Sequence, residues 1–230
     1  MKRDAFLFDM GYTLLAPHPS FEVLVVKTLA ARGLSTTIEA IRAAEGVAWQ
    51  QANERVTDRR FTLSQEMSGD FWRGFYDILL QRAGVLAQPD AALYDALFDV
   101  FSAQHNYAFY DDVLPVLEQL RARGSRLGVI SNWEGWLHDL LGDRGVKDMF
   151  ECIIVSGTVG LEKPDPAIFH LAFEEMRVTA SQCVYVGDSV EYDVAPSLEL
   201  GIEPVLIDRR GRHAAVDLPC RRITSLFELL

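Results

Sequence analysis

The feature that most constrains this chain is an interrupted alternation of strands and helices. A short apolar run, Ala5-Phe6-Leu7-Phe8, reads as a buried strand, and Asp9-Met10-Gly11-Tyr12 follows with turn character. No strand of comparable quality appears again until after Tyr110. Between Ser20 and about Asn106 the spacing is helical only. Phe21, Leu24, Val25 and Leu29 share a face and Gly33 stops the first helix. Thr36 with Glu39, and Thr62 with Gln65, read as capping boxes opening a second and a third helix. Pro89-Asp90 opens a fourth, with Leu93, Leu97, Val100 and Phe101 on one face.

After Tyr110 the rhythm changes. Helices are predicted over 113–123, 136–141, 166–176 and 190–200, and strands over 127–130, 152–155, 183–186 and 204–207. Short turns between alternating strands and helices argue right-handed βαβ units and a parallel sheet. The first strand has no partner nearby, so it joins this later sheet. The expected fold is therefore α/β, a Rossmann-like parallel sheet core over 1–15 and 108–230. An all-helical domain over 16–107 is inserted after the first strand as a lid over one edge.

Composition narrows the function. With 230 residues, 49% hydrophobic and 24% charged, the chain suits a folded globular protein rather than a disordered one. No apolar run approaches the ~18 residues of a membrane-spanning helix. The run after Met1-Lys2-Arg3-Asp4 is broken by Asp9, too soon for a secretory signal. A net charge of −11 disfavours nucleic acid and anionic membranes. Cys152, Cys183 and Cys220 are odd in number and lack metal-ligand spacing, which reads as buried reduced thiols in the cytoplasm.

In open parallel sheets the ligand site lies beyond the carboxyl ends of the strands. Four such ends carry chemistry here. The first strand ends in Asp9, and the 127–130 strand in Ser131-Asn132. The loop after the 152–155 strand holds Lys163, and the 183–186 strand ends in Gly187-Asp188 with Asp193 beyond. Acids, a hydroxyl and a lysine converging on one edge fit a phosphoryl group and a hard cation. Mg²⁺ takes oxygen ligands and uses one or two carboxylates beside substrate phosphate. Lysine, a short hydroxyl and backbone N–H groups cradle the anion.

Taken in order, Phe8-Asp9-Met10-Gly11-Tyr12-Thr13-Leu14, Val129-Ile130-Ser131-Asn132, Glu162-Lys163-Pro164-Asp165 and Val186-Gly187-Asp188-Ser189-Val190-Glu191-Tyr192-Asp193 resemble the four motifs of the haloacid dehalogenase superfamily of hydrolases. The helical insertion falls where that family places a helical cap of the C1 type. The resemblance implies that Asp9 is a nucleophile forming an aspartyl-phosphate. It implies that Ser131, Asn132 and Lys163 hold the phosphoryl group. Mg²⁺ would be held by Asp9, the Gly11 carbonyl, Asp188 and Asp193. The substrate would be a small phosphorylated molecule.

One position departs from the pattern. Two residues after the nucleophile, phosphatases of this family carry a second acid that protonates the leaving oxygen and then activates water; here it is Gly11. General acid–base help is worth about 10²–10⁴-fold. The loss leaves three readings: a phosphatase with a weakened step, a phospholigand-binding protein without turnover, or a 2-haloacid dehalogenase. Dehalogenases lack this acid too, but need no metal and do not use the Gly-Asp motif retained as Gly187-Asp188. The carbon–phosphorus hydrolases need a cap lysine, and Lys27, the insertion's sole lysine, has nothing around it that marks it as reactive.

Plainer readings stand beside these. Asp9 and Ser131 could be helix caps, Lys163 a solvated charge and Asp193 an exposed helical acid. Tyr12 could replace the missing acid, Trp133 could line a pocket and His18 could contact substrate; each could equally be packing or surface. Arg209-Arg210-Gly211-Arg212-His213 is a short basic turn with no assigned role.

Overall fold

In the computed structural model, residues 4–56, 60–85, 91–213 and 217–230 are described. The chain divides into two compact units, Met1–Leu15 with Phe109–Leu230, and Ala16–Ala108. In chain order the first elements are β1 (Ala5–Phe8), β2 (Leu15–Pro17), α1 (Phe21–Ala30), α2 (Ile38–Arg55), α3 (Gln65–Arg82), α4 (Ala91–Ser102) and β3 (Tyr107–Phe109). They continue with α5 (Val113–Ala122), β4 (Arg126–Ser131), α6 (Leu137–Asp143), β5 (Cys152–Val155) and α7 (Ser156–Val159). The last are α8 (Pro166–Met176), β6 (Cys183–Gly187), α9 (Ala195–Leu200), β7 (Glu203–Ile207) and β8 (Arg221–Ile223).

β1 is the centre of the first unit. It pairs in parallel with β4 on one side, Ala5 opposite Arg126, and with β6 on the other, Ala5 opposite Cys183. The sheet runs β5-β4-β1-β6-β7-β8, with every pairing parallel. The first strand thus joins the later sheet, as its lack of a nearby partner required. Ala5, Leu7, Ile130, Ile154 and Tyr185 bury one face against Ile168, Phe169, Ala172 and Met176 of α8. Gly128 is needed for this closeness: a Cβ there would stand 2.7 Å from Cys152 Sγ, 2.8 Å from Leu7 and 2.9 Å from Met176.

The second unit is held by its own core. Phe21, Val25, Ile41, Ala48, Phe71, Phe75, Leu79 and Leu97 are buried together, and Phe61 stacks on Phe71 at 3.8 Å. No helix among the described residues is long and apolar enough to cross a membrane. Where the chain passes between the units, β2 and β3 pair. These three-residue strands carry no run long enough to be read from sequence.

Local readings differ in detail. Thr37, not Thr36, caps α2: its side chain accepts from Ala40 N at 3.1 Å, while the Thr36 hydroxyl donates to Ala83 O at 3.4 Å. Ser64 caps α3, accepting from Met67 N at 3.1 Å, so the helix starts later than a Thr62 cap requires. The Gln65 side chain and Pro89-Asp90 lie outside the described residues. The helix predicted over 190–200 is not uniform: Val190–Val194 forms a π turn and α9 follows. Pro196 cannot donate an N–H to the turn before it, and a widened turn upstream absorbs the mismatch. Cys152, Cys183 and Cys220 form no disulfide; Cys152 and Cys183 are buried, but Cys220 is half-exposed, on a segment beside the edge strand β8.

Candidate active site

The order of the sheet creates the site. The chain runs outward from β1 through β4 and β5, then returns to the other side for β6, β7 and β8. The switch lies at the carboxyl ends of β4, β1 and β6, where parallel sheets open a crevice. Asp9 follows β1, Ser131 ends β4, and Gly187 ends β6 with Asp188 next. Lys163 arrives from the loop before α8.

Lys163 is buried, and its ammonium makes three hydrogen bonds. It donates to Asp9 Oδ1 at 2.8 Å, to Asp193 Oδ1 at 2.6 Å and to the Tyr185 hydroxyl at 3.0 Å. An ammonium has three protons, so all its donors are used. Burial alone would lower its pKa, but Asp193 and Asp9 beside it hold it well above the ordinary lysine value. The plainer reading of Lys163 as a solvated charge is therefore excluded. The Tyr185 hydroxyl in turn donates to Ile130 O at 2.9 Å, and burial holds its pKa well above the usual phenol value.

Two side-chain hydrogen bonds reach Asp9 Oδ1: one from Lys163, one from the Ser131 hydroxyl at 3.4 Å. Burial raises the Asp9 pKa, as does Asp193, while Lys163 opposes them. Asp188 is pushed well above the carboxylate range by burial, then by Asp9 and Asp193, with Lys163 and Arg212 pulling the other way. Asp9, Asp188 and Asp193 each offer an oxygen, and the three lie within 4.8 Å of one another. Three carboxylates gathered this closely at one sheet edge fit a hard divalent cation such as Mg²⁺, which oxygen ligands suit.

Asp193 has a second tie. Its Oδ1 holds Lys163, while its Oδ2 accepts from Ser189 N at 2.9 Å. The π turn that carries it also lets this carboxylate lie across Gly187. A Cβ on Gly187 would come within 2.3 Å of Asp193 Cγ and Oδ2, so the glycine before Asp188 is a steric requirement. Asn132 faces Lys163 rather than open space: its Oδ1 accepts from Lys163 N at 2.8 Å and its Nδ2 donates to Lys163 O at 2.9 Å. Its side chain therefore fixes the lysine's backbone.

Gly11 is not at positive φ; a Cβ there would meet Trp133 Cζ3 at 3.4 Å, an ordinary contact. The Trp133 indole thus lies where a side chain at this position would begin. Tyr12, next in line, does hold a left-handed conformation, φ +54°. His18 is exposed in the second unit, and its backbone N–H donates to Asn106 O at 2.7 Å. Sequence reasoning missed Tyr185, whose hydroxyl is hidden in an apolar strand pattern, and Ser189, whose backbone holds Asp193.

A family model described as haloacid dehalogenase-like hydrolase matches residues 3–201. The chain is 29% identical over 229 residues to haloacid dehalogenase-like hydrolase domain-containing protein 3 of Danio rerio, covering 97% of this chain and 93% of that protein. It is 33% identical over 149 residues to glyceraldehyde 3-phosphate phosphatase of Methanopyrus kandleri, covering 60% of this chain and 59% of that one. Among solved structures, a HAD phosphatase from Thermococcus onnurineus superposes with a TM-score of 0.63 at 26% identity, over 100% of this chain and 96% of that one.

Proposed function

The chain belongs to the haloacid dehalogenase-like hydrolases, and we propose that it is a Mg²⁺-dependent phosphatase of a small phosphorylated metabolite. The observation that carries this reading is the meeting of Asp9, Asp188 and Asp193 within 4.8 Å, beside a buried Lys163. Relatives named as phosphatases support it. Asp9, Asp188 and the Gly11 carbonyl would hold the metal, with Asp193 in support. When bound, the cation neutralises phosphate charge so that a carboxylate can approach it.

The chain's own groups then divide the work. Asp9 attacks phosphorus through Oδ2, forming a P–O bond as the ester oxygen departs. Ser131 holds a phosphoryl oxygen, and Lys163, which withdraws charge from Asp9 Oδ1, exchanges one of its three bonds for a bond to a second phosphoryl oxygen. Water next attacks phosphorus, releasing phosphate and restoring the Asp9 carboxylate. Asn132 and Tyr185 keep Lys163 in place. Gly11 offers no proton to the leaving oxygen, which departs carrying its own charge. The inserted helical unit is the cap, and substrate choice within the family class is assigned to it. The reducing cytoplasm is the compartment that its thiols suit.

A 2-haloacid dehalogenase would also lack an acid at Gly11, but it needs no metal and would give Asp188 no task. The test is hydrolysis of phosphate esters and of a 2-haloacid, each with Mg²⁺ and with EDTA, by the parent and Asp9→Asn. Ester hydrolysis that needs Mg²⁺ and vanishes in Asp9→Asn is expected, since an amide cannot attack phosphorus. Haloacid turnover that survives EDTA would replace this reading with the dehalogenase one. Folded protein with Mg²⁺ bound and no turnover on any ester would leave the non-catalytic binding protein.

A further inference from the structure

Lys163 has no donor to spare. Its three protons go to Asp193 at 2.6 Å, to Asp9 at 2.8 Å and to the Tyr185 hydroxyl at 3.0 Å. A phosphoryl oxygen arriving beside Asp9 can bond this ammonium only in place of one of them. The three partners are not equal.

Two are carboxylates. Asp193 makes the shortest bond, and Ser189 N holds its other oxygen at 2.9 Å, so this acid is tied at both ends. Asp9 receives Lys163 on the same oxygen that the Ser131 hydroxyl reaches at 3.4 Å. Releasing either acid parts a buried ion pair, which is the costlier exchange.

The third partner is neutral. Tyr185 is fully buried on β6, with its ring 5.3 Å from that of Phe169. Its hydroxyl accepts from Lys163 and donates to Ile130 O at 2.9 Å. When the ammonium turns away, the phenol's own proton stays on Ile130 and only an uncharged acceptor is left short. That costs less than leaving a charged one short. Ile130 immediately precedes Ser131 at the end of β4, so the phenol remains tied to the strand that brings the phosphoryl-binding hydroxyl. Asn132 grips the Lys163 backbone at N and O, at 2.8 Å and 2.9 Å, so the exchange is a turn of the side chain and not a movement of the loop.

We propose that Tyr185 is a positioning residue that holds the third Lys163 proton in the free protein and surrenders it to the phosphoryl group. This role rests on the phosphatase reading for the presence of a phosphoryl group. The bond given up is subtracted from the bond gained. Tyr185 therefore weakens the hold on the phosphoryl group in substrate and product alike, and eases the departure of phosphate.

Two measurements test it. Crystal structures of the full chain in Mg²⁺, without and with inorganic phosphate, need no variant. With phosphate, Lys163 Nζ should stand beyond ~3.5 Å from the Tyr185 hydroxyl and within ~3.2 Å of a phosphate oxygen, still bonded to Asp9 and Asp193. Calorimetry of inorganic phosphate in Mg²⁺ then compares the parent with Tyr185→Phe, which keeps the ring in the core. The variant should bind phosphate at least about threefold more tightly, since no bond to the phenol has to be broken. Its KM for phenyl phosphate should fall in step, while kcat does not rise. A tyrosine that only props the lysine would give the opposite sign, weaker phosphate binding and a higher KM. That result, an unchanged affinity, or a Tyr185 bond retained beside bound phosphate overturns the exchange and leaves the phosphatase reading standing. The exchange observed in a protein that hydrolyses no phosphate ester overturns the phosphatase reading and keeps the exchange. Inorganic phosphate binding to neither protein overturns both.

Discussion

At the scale of residues, the missing side chain at Gly11 sets the chemistry. Asp9, Ser131 and Lys163 can support attack on phosphorus, but nothing at residue 11 can protonate the leaving oxygen. Rates should therefore fall steeply as the leaving group becomes more basic. Aryl and acyl phosphates suffer little, while alkyl esters lose up to the ~10²–10⁴ that acid–base help supplies. The backbone at Gly11 is not left-handed, and a Cβ would rest against Trp133 at 3.4 Å. Gly11→Asp should thus fold and speed alkyl esters selectively. The measurement is kcat/KM over esters of graded leaving-group pKa, on parent and variant. A flat series in the parent would show that another group donates the proton, and Tyr12 would be the first to substitute.

At the scale of elements, the strand ends were legible because each strand is an apolar run closed by polar residues. The sequence does not state what those ends do to one another. Lys163 and Asp9 meet at 2.8 Å across 154 positions, because β1 and β4 are paired and Asn132, just after β4, clamps the Lys163 backbone. Tyr185 looked like core because its ring is core; only the fold shows its hydroxyl under Lys163. β8, Arg221–Ile223, has no apolar run and is a strand only because β7 offers an open edge. The π turn was illegible because helical spacing continues through it. Two glycines separate packing from site geometry. Gly187→Ala drives a Cβ to 2.3 Å from Asp193 Cγ, which must move away from Lys163. Gly128→Ala meets only core atoms of Cys152, Leu7 and Met176, at 2.7–2.9 Å. Both should lose about 1–3 kcal/mol of stability to overpacking. Only Gly187→Ala should also lose turnover, by about tenfold or more, since a charge-assisted bond of ~1.5–3 kcal/mol is broken. Thermal melts with kcat below the melting range distinguish the two.

Asp112 makes a further prediction at this scale, because it ties three segments. It accepts from Arg209, from the Ser225 hydroxyl at 2.6 Å and from Leu226 N at 2.8 Å. Burial would raise its pKa, but these bonds, led by Arg209, hold it below the usual carboxylate value. A lowered folded pKa means stability that is present above the unfolded value of 3.8 and lost as pH falls through the folded one. Asp112→Ala should cost about 3–5 kcal/mol near neutral pH, as when one partner of a buried pair is removed. The difference from the parent should shrink as pH falls below the unfolded value, which paired denaturant titrations would show. A constant difference across that range would mean that the aspartate acts through packing alone.

At the scale of the whole molecule, charge and the two cores together predict how the protein answers a metal. Asp9, Asp188 and Asp193 all belong to the first unit; the second has a core of its own. Without a cation, the raised pKa values of Asp188 and Asp9 mean that the folded state binds protons more tightly than the unfolded one. Their contribution is full below the ordinary carboxylate pKa and is lost as pH rises through the raised values. Mg²⁺ binds the ionised forms, so it competes with those protons and reverses the trend. At a hundred times its dissociation constant it should add about 2.7 kcal/mol, or ~5–10 °C in melting temperature for a chain of this size. The gain should be larger near pH 8 than near pH 5. It should appear in hydrogen exchange of β1, β4 and β6 and leave the amides of α1 to α4 unchanged. A Mg²⁺ effect equal in both units would mean that the two units unfold together. No effect at any pH would remove the cation from Asp9, Asp188 and Asp193.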